Sequence, residues 1–216
     1  MRQADIEPCP AGWEYESVDH HDRLLRERTL RVLGLLSEQS PNAYLLAKDT
    51  RSIHRSLFRD LTPAGFDYFA GSYRGCEHRC LKDYRVHVRS DPRVGHDPSY
   101  VHGEMDFLAT EIDQIIRNLD IGWRAAEAVF SREQKLFRTI EVAAAVFVFF
   151  LEIHPYANGN GHAARLILTM IGLRYGVRFR RFPVHPRPPQ PTYAEAITLH
   201  RSGNPRPLER LLLSCL

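Results

Sequence analysis

The sequence lacks any stretch able to cross a bilayer. Its longest apolar run, Val142 to Leu151, is about half of the ~20 residues a spanning helix needs. Cysteine is scarce: Cys9, Cys76, Cys80 and Cys215 are too few and too irregularly spaced for a small secreted disulfide scaffold. They are expected to be scattered thiols in a reducing compartment. Cys76-x-His78-x-Cys80 has zinc-binding residue types, but no second CxxC or HxxxH pair follows to complete four ligands. The start, MRQADIEPCPAGW, has no basic segment followed by an apolar one, so no secretory signal is expected and the cytoplasm is the expected location. Delivery into another cell as an effector is compatible with that reading. No internal repeat or low-complexity tract is present. Excess charge is also missing: a net charge of +3 with 11 histidines fits a small anionic ligand about as well as no ligand at all and is too weak a basis for expecting nucleic acid.

What remains is an ordinary globular balance, 44% hydrophobic and 25% charged over 216 residues, enough to bury a core in one domain with a small appendage. The first 20 residues mix Pro, Gly and acids without periodicity and are expected to be loosely ordered. Helical spacing of apolar residues predicts helices over Asp22–Glu38, Ala43–Leu61, Glu104–Asn118, Thr139–Ile153, Ala163–Tyr175, Tyr193–Arg201 and Leu208–Leu213. Thr139–Ile153 is apolar nearly all round and is expected to be the buried central helix, and Gly176 reads as the C-cap of the next one. Pro183–Pro191 reads as a proline-rich loop. Between Phe69 and Val101 the texture changes. Tyr84-Arg85-Val86-His87-Val88-Arg89 alternates with period two and is followed by Ser90-Asp91-Pro92, which predicts an inserted β-hairpin. The expected fold is therefore mostly α with one hairpin.

The chemistry concentrates in His154-Pro155-Tyr156-Ala157-Asn158-Gly159-Asn160-Gly161-His162-Ala163-Ala164-Arg165, which joins the most apolar helix to the next. Gly159 and Gly161 let the backbone turn sharply around Asn160, a favourable N-cap. Bare N–H groups at a helix start, aided by the helix dipole, make an anion site. Arg165, one turn in, can point back at a phosphate, and His154 can face the same pocket as a general base. A lone GxG would be a geometric turn. His, Asn, two Gly and Arg together between two apolar helices favour a phosphate site.

These residues resemble the Fic (Fido) family, whose motif is HPFx[D/E]GNGRxxR. His154, Pro155, Gly159, Asn160, Gly161 and Arg165 match, and Tyr156 replaces Phe. Ile53-His54-Arg55-Ser56-Leu57-Phe58 followed by Ala70-Gly71-Ser72-Tyr73-Arg74 is similar to the family's upstream iHrxLF…aGxyR stretch. Tyr193-Ala194-Glu195-Ala196-Ile197 and the Leu208-rich end are similar to its closing helices. The resemblance covers residues 43–216 and leaves 1–42 as an N-terminal extension with a helix. It implies a helical Fic core with a hairpin flap at about 75–101. It implies transfer of AMP, or another phosphate-linked group, from ATP or another nucleotide donor to a Ser, Thr or Tyr hydroxyl of a protein. His154 would then be the base. Gly159, Asn160 and Gly161 would form the anion hole, with Asn158, His162 and Tyr193 also at the nucleotide. Arg165 would bind phosphate and stabilise the developing charge. The flap edge would hold the protein substrate as an added strand.

Two positions depart from that pattern. Asn158 stands where the family has the Asp or Glu that holds Mg²⁺, so a Mg²⁺ or Mn²⁺ site here is at most weak. His162 replaces the motif's first Arg, exchanging a permanent charge for a group mostly neutral at pH 7. Three outcomes stay open: AMP transfer with a weaker metal site, transfer of a different phosphate-linked group, or a degenerate domain that binds nucleotide or a protein partner without turnover. The family's inhibitory motif [S/T]xxxE[G/N] has no counterpart, since no Glu here is followed by Gly or Asn. Any restraint is expected to come from a separate polypeptide or from the weakened site itself. Among other residues, Trp13 and Trp123 read as packing residues, His185 between prolines as exposed and inert, and Arg178, Arg180 and Arg181 as a solvated run. Tyr73-Arg74 fits either a nucleotide contact or an anchor for the hairpin.

Overall fold

The computed structural model describes residues 8–86, 88, 91–189 and 191–216. The helices are α1 (Asp19–Glu38), α2 (Leu45–Lys48), α3 (Arg51–Phe58), α4 (Arg79–Lys82), α5 (Pro98–Arg124), α6 (Arg132–Ile153), α7 (Asn160–Arg174), α8 (Thr192–Arg201) and α9 (Arg206–Ser214). Among the described residues, none is long and apolar enough to cross a membrane.

Local chemistry sets several boundaries. Asp97 accepts the N–H of Ser99 at 3.1 Å and Pro98 occupies the first helical position, so α5 begins earlier than the Glu104 start read from its apolar face. Ser131 and Gln134 form a reciprocal capping box that opens α6. The single helix expected over Ala43–Leu61 is instead α2 and α3. Asp49 between them takes the backbone N–H of Arg51 at 3.0 Å, a local side-chain bond that competes with helix continuation.

α6 packs against α5, α7, α8 and α9. Met105, Leu108 and Ile112 of α5, Ala143, Phe147 and Phe150 of α6, and Leu166, Ile167 and Met170 of α7 are buried in one cluster. Burying a side chain of this kind stabilises by about 1.5–3 kcal/mol, and the cluster fixes the α6–α7 junction from below. The far end of α7 is tied down by Arg174, which donates to both carboxylate oxygens of Asp120 on α5 at 2.9 and 2.6 Å.

The expected β-hairpin is corrected. His87, Arg89 and Ser90 lie outside the described residues, and among the described residues there is no strand at all. The segment holds the short helix α4 and irregular backbone. Its polar groups are satisfied elsewhere than in a ladder: Arg74 takes the carbonyls of Tyr84 and His96, and the N–H of Gly95 goes to Glu152 of α6 at 2.9 Å. Alternating polarity here reflects which residues face the domain.

The N-terminal segment is also better packed than its composition suggests. Trp13 and Tyr15 are buried, and the Trp13 indole N–H donates to the carbonyl of Leu61 at 2.7 Å. Trp13 meets His54, Phe58 and Phe69 edge-on. Cys9 and Cys80 form a disulfide, with Cα atoms 5.4 Å apart, whereas Cys76 and Cys215 are free thiols. The expectation of four scattered thiols is thereby corrected, and with it goes the support that cysteine usage lent to a reducing compartment. A bond between residues 71 positions apart leaves no spacing signal in the sequence.

Candidate active site

α6 ends in a residue of unusual backbone. His154 is in the left-handed region at φ 53°, which costs a non-glycine residue energy and persists only when its surroundings over-determine it. Arg74 provides that determination. Fully buried, it donates from Nε to the His154 carbonyl at 2.8 Å and from Nη2 to the Ile153 carbonyl at 3.0 Å, while its backbone N–H donates to Pro155 at 2.8 Å. Burial pushes its pKa down to about 10, and it stays a cation. Of the two readings for Tyr73-Arg74, the structure makes Arg74 an anchor of the loop that starts at His154.

The rest of the upstream stretch serves the same loop. His54 is fully buried and held neutral by desolvation. Its Nδ1 accepts the N–H of Gly71 at 2.9 Å, so Nε2 carries the proton and donates to the Asn158 carbonyl at 2.9 Å. Its ring stacks on Tyr156, with centroids 3.7 Å apart and planes 8° apart, and the Tyr156 hydroxyl pairs with Thr50 at 2.7 Å. Asn160 is buried and binds one backbone residue twice: Oδ1 accepts from Tyr156 N at 2.9 Å and Nδ2 donates to Tyr156 O at 2.8 Å. Its side chain closes the loop and is not available to a ligand.

Gly159 has φ 79°, and a Cβ there would lie 2.4 Å from Cε2 of Phe58 and 2.8 Å from Nε2 of His54. Gly159→Ala is therefore expected to be strained in backbone and blocked in space. Loss of folded protein by at least about 2 kcal/mol, read as the shift of the denaturant midpoint, is the expected result. An unshifted midpoint would mean the loop is not packed as described.

The loop lines a cavity of about 610 Å³, a size that suits a nucleotide-like ligand. His154, Asn158, Gly159, Asn160, Gly161, His162, Arg165 and Tyr193 all line it, so the structure brings every sequence-predicted site residue together. His154 accounts for one of its ring nitrogens: Nδ1 donates to the Leu151 carbonyl at 3.2 Å, which leaves the Nε2 lone pair open. Burial pushes its pKa down to about 4, so the ring is neutral at ordinary pH. At the helix start, the N–H groups of Asn160 and Gly161 have no acceptor among the described residues. The Gly159 N–H differs: Oδ1 of Asn158 takes it at 2.7 Å. Of the three expected anion-hole N–H groups, two are without an acceptor among the described residues and one is already used. Arg165 is buried, donates from Nε to the Val184 carbonyl at 2.9 Å and from Nη1 to the Tyr193 hydroxyl at 3.3 Å. Its Nη1 lies 3.1 Å from where a Cβ on Gly161 would be, which places the guanidinium against the helix start. That contact gives Gly161 its reason.

The donor set does not fit a resident Mg²⁺. The Asn158 amide oxygen is engaged by its own loop, and Nδ2 points at the Trp13 carbonyl at 2.6 Å, with the Glu16 carboxylate 3.4 Å away on that donor side. Among the described residues, no three His, Cys, Asp or Glu side chains are grouped to hold a metal. Mg²⁺ prefers carboxylate oxygens, and the motif offers none.

The structure adds residues that no sequence signal marked. Tyr15 and Glu16 of the N-terminal segment, Asp22 of α1 and Arg201 of α8 all line the cavity. Arg201 pairs with Asp91 at 3.2 Å beside His154. His185 was expected to be exposed and inert. Its side chain is 9% exposed, and it bonds His162 at 3.1 Å and Asp22 at 3.0 Å. Its bond to His162 ties the proline-rich loop to α7. Arg178, Arg180 and Arg181 are exposed.

A model of the Fic/DOC family matches residues 44–171. A "Protein adenylyltransferase Fic" from Culex quinquefasciatus is similar at 22% identity over 203 residues, 93% of this chain and 33% of that protein. Another of the same name, from Aedes aegypti, is similar at 21% over 202 residues, again 93% and 33%. The chain spans about a third of the length of the curated relatives it matches. The matched family segment takes in the His54–Arg74 scaffold and the His154–Arg165 loop and covers more than half of the sequence: the chain belongs to the Fic/DOC family.

Proposed function

We propose that the chain is a Fic-type transferase that moves AMP from ATP to a Ser, Thr or Tyr hydroxyl of a protein. The observation that carries this is that His154, with Nε2 unpartnered among the described residues, lines the same cavity as Asn160 and Gly161, whose N–H groups have no acceptor there, and Arg165. The names of the similar mosquito proteins support it. In this reading His154 Nε2 takes the hydroxyl proton as the oxygen bonds to the α-phosphorus. The bond to the leaving pyrophosphate breaks, and its electron pair goes with the pyrophosphate. Asn160 N–H, Gly161 N–H and Arg165 are aimed at the phosphate oxygens, where preorganised donors stabilise developing charge most. No step is assigned to a metal, because the donor set around Asn158 does not fit one.

A second reading, a binding module without turnover, is favoured by the engagement of the Asn158 amide with its own loop and with Trp13. Two measurements separate the readings. ATP carrying a label on its α-phosphate, incubated with the protein and cell lysate, should label a protein band, and Arg165→Ala should weaken nucleotide binding by about 1–3 kcal/mol. Nucleotide binding lost in Arg165→Ala with no labelled band supports the binding module. No nucleotide binding in the native chain overturns both.

A further inference from the structure

His162 sits where this family's motif usually carries an arginine, yet it is not isolated. Four side chains from four parts of the chain form one hydrogen-bonded line: Tyr15 Oη to His162 Nδ1 at 3.4 Å, His162 Nε2 to His185 Nδ1 at 3.1 Å, and His185 Nε2 to Asp22 Oδ1 at 3.0 Å. The two imidazoles lie nearly parallel, 26° apart, with centroids at 5.4 Å. We propose that Asp22, His185 and His162 together form a proton-loaded anion grip: when the outer phosphate of a donor nucleotide enters the cavity, the pair takes up one proton and His162 Nδ1–H donates to that phosphate. This rests on the transferase reading of the same cavity and deepens it.

The argument starts from the carboxylate. Asp22 can only accept, so His185 Nε2 carries a proton. In a neutral pair His185 Nδ1 is then an acceptor, His162 Nε2 carries the proton, and His162 Nδ1 accepts from the Tyr15 hydroxyl. Burial and the neighbouring Glu16 carboxylate raise the Tyr15 pKa and keep it a donor. Burial lowers both histidine pKa values, so this neutral arrangement is the resting one. In it the Nδ1 lone pair of His162 is taken by the Tyr15 hydroxyl, and the pair offers a phosphate no donor.

One added proton reverses the line. His185 becomes doubly protonated beside Asp22, its Nδ1–H donates to His162 Nε2, and His162 Nδ1 becomes a donor. The charge rests on the imidazole next to a carboxylate, and the new donor is on His162, which lines the cavity together with Tyr15. The Tyr15 hydroxyl gives up its long 3.4 Å bond to Nδ1, and the phosphate oxygen takes its place as the partner of that nitrogen.

The surrounding charges explain why the proton needs an anion. Arg165 of α7 and Arg187 of the proline-rich loop lower the His162 pKa, with His54 of α3 and His185 acting in the same direction. Around His185, Arg26 and Arg165 lower the pKa and Asp22 raises it. Glu16 lies on the Tyr15 side. An incoming phosphate brings negative charge among these cations and relieves that depression. Uptake of a proton on binding means affinity rises as pH falls, by up to about tenfold per pH unit between the free and bound pKa values. An arginine would bind without such dependence.

The test uses the full chain labelled with ¹⁵N-histidine and ADP as the probe. Imidazole ¹⁵N shifts report tautomer and charge directly, with His162→Gln and His185→Gln spectra giving assignments, while calorimetry reports ADP binding. The expected result is a neutral pair without ADP at pH 6.5 and a doubly protonated ring in the pair with ADP. Asp22→Asn, an exposed change, should weaken ADP up to about fivefold at pH 6 and less at pH 8. His162→Arg should bind ADP with the steeper part of the pH dependence removed, which separates the pair from ADP's own titration. ADP bound with both imidazoles still neutral overturns the grip while the transferase reading stands. ADP not bound at all overturns both.

Discussion

In the proposed transferase, replacing His154 by alanine is expected to lower the rate of AMP transfer on the order of 10²–10⁴-fold, the usual contribution of a positioned general base. The fold should survive, because His154 contributes one side-chain bond, to Leu151, and its backbone is held by Arg74 rather than by its own ring. Nucleotide affinity should change little, since the phosphate donors are on α7. The loss therefore belongs in kcat. The pH profile adds a separate check. With the folded pKa pushed down to about 4 by burial, the Nε2 lone pair is available above about pH 5 and is lost as pH falls through about 4. On account of His154, kcat should be level from pH 5 to 8, while KM falls toward the acid side through the His162–His185 pair. A kcat that instead rises with a midpoint near 6.5 would point to a solvated histidine as the base. A His154→Ala chain that transfers at the native rate would remove His154 from the mechanism.

Arg74→Met should be the most destabilising single change that keeps approximate volume. Nε and the two Nη groups serve the carbonyls of Tyr84, His96, Ile153 and His154, all at 2.8–3.1 Å. Methionine fills the space but leaves buried carbonyls unpaired, and each such loss costs about 1–3 kcal/mol, not fully additively. A total of at least about 3 kcal/mol is expected, a large share of a stability of roughly 5–15 kcal/mol. Urea unfolding should show a lowered midpoint with an unchanged slope. The same substitution also frees His154 from its left-handed backbone, so activity measured below the unfolding range should fall as well. If stability dropped by less than about 1 kcal/mol, water would have to reach those carbonyls, and the anchor role would be wrong.

Both predictions rest on residues that were visible in the sequence but not equally readable there. The loop from His154 to Arg165 was legible because its chemistry is local. Glycines, an N-capping asparagine, a histidine and an arginine within one helix–turn–helix meet whatever the rest of the chain does, and the structure does gather them in one cavity. The helical class was legible for the same reason, since the 3.6-residue periods of α1 and α5 run over several turns. The hairpin was misread because period-two alternation records which side is buried, not which partner takes the backbone. Here the partners of that backbone are Arg74 and α6. Arg74 itself was marked by the upstream stretch, but its role depended on four carbonyls from three separate segments.

By itself, then, the sequence determined a helical domain, its buried central helix and the glycine-rich turn that follows it, all set by interactions between residues near in the chain. Only the tertiary structure decided what sits around that turn. It paired Cys9 with Cys80, laid Trp13, Tyr15 and Glu16 over Asn158 and His162, and brought His185 to Asp22 across 163 positions. The physical reason is that such contacts come from the closing of long loops, whose entropic cost grows only slowly with length and leaves no periodic trace in the residues that meet.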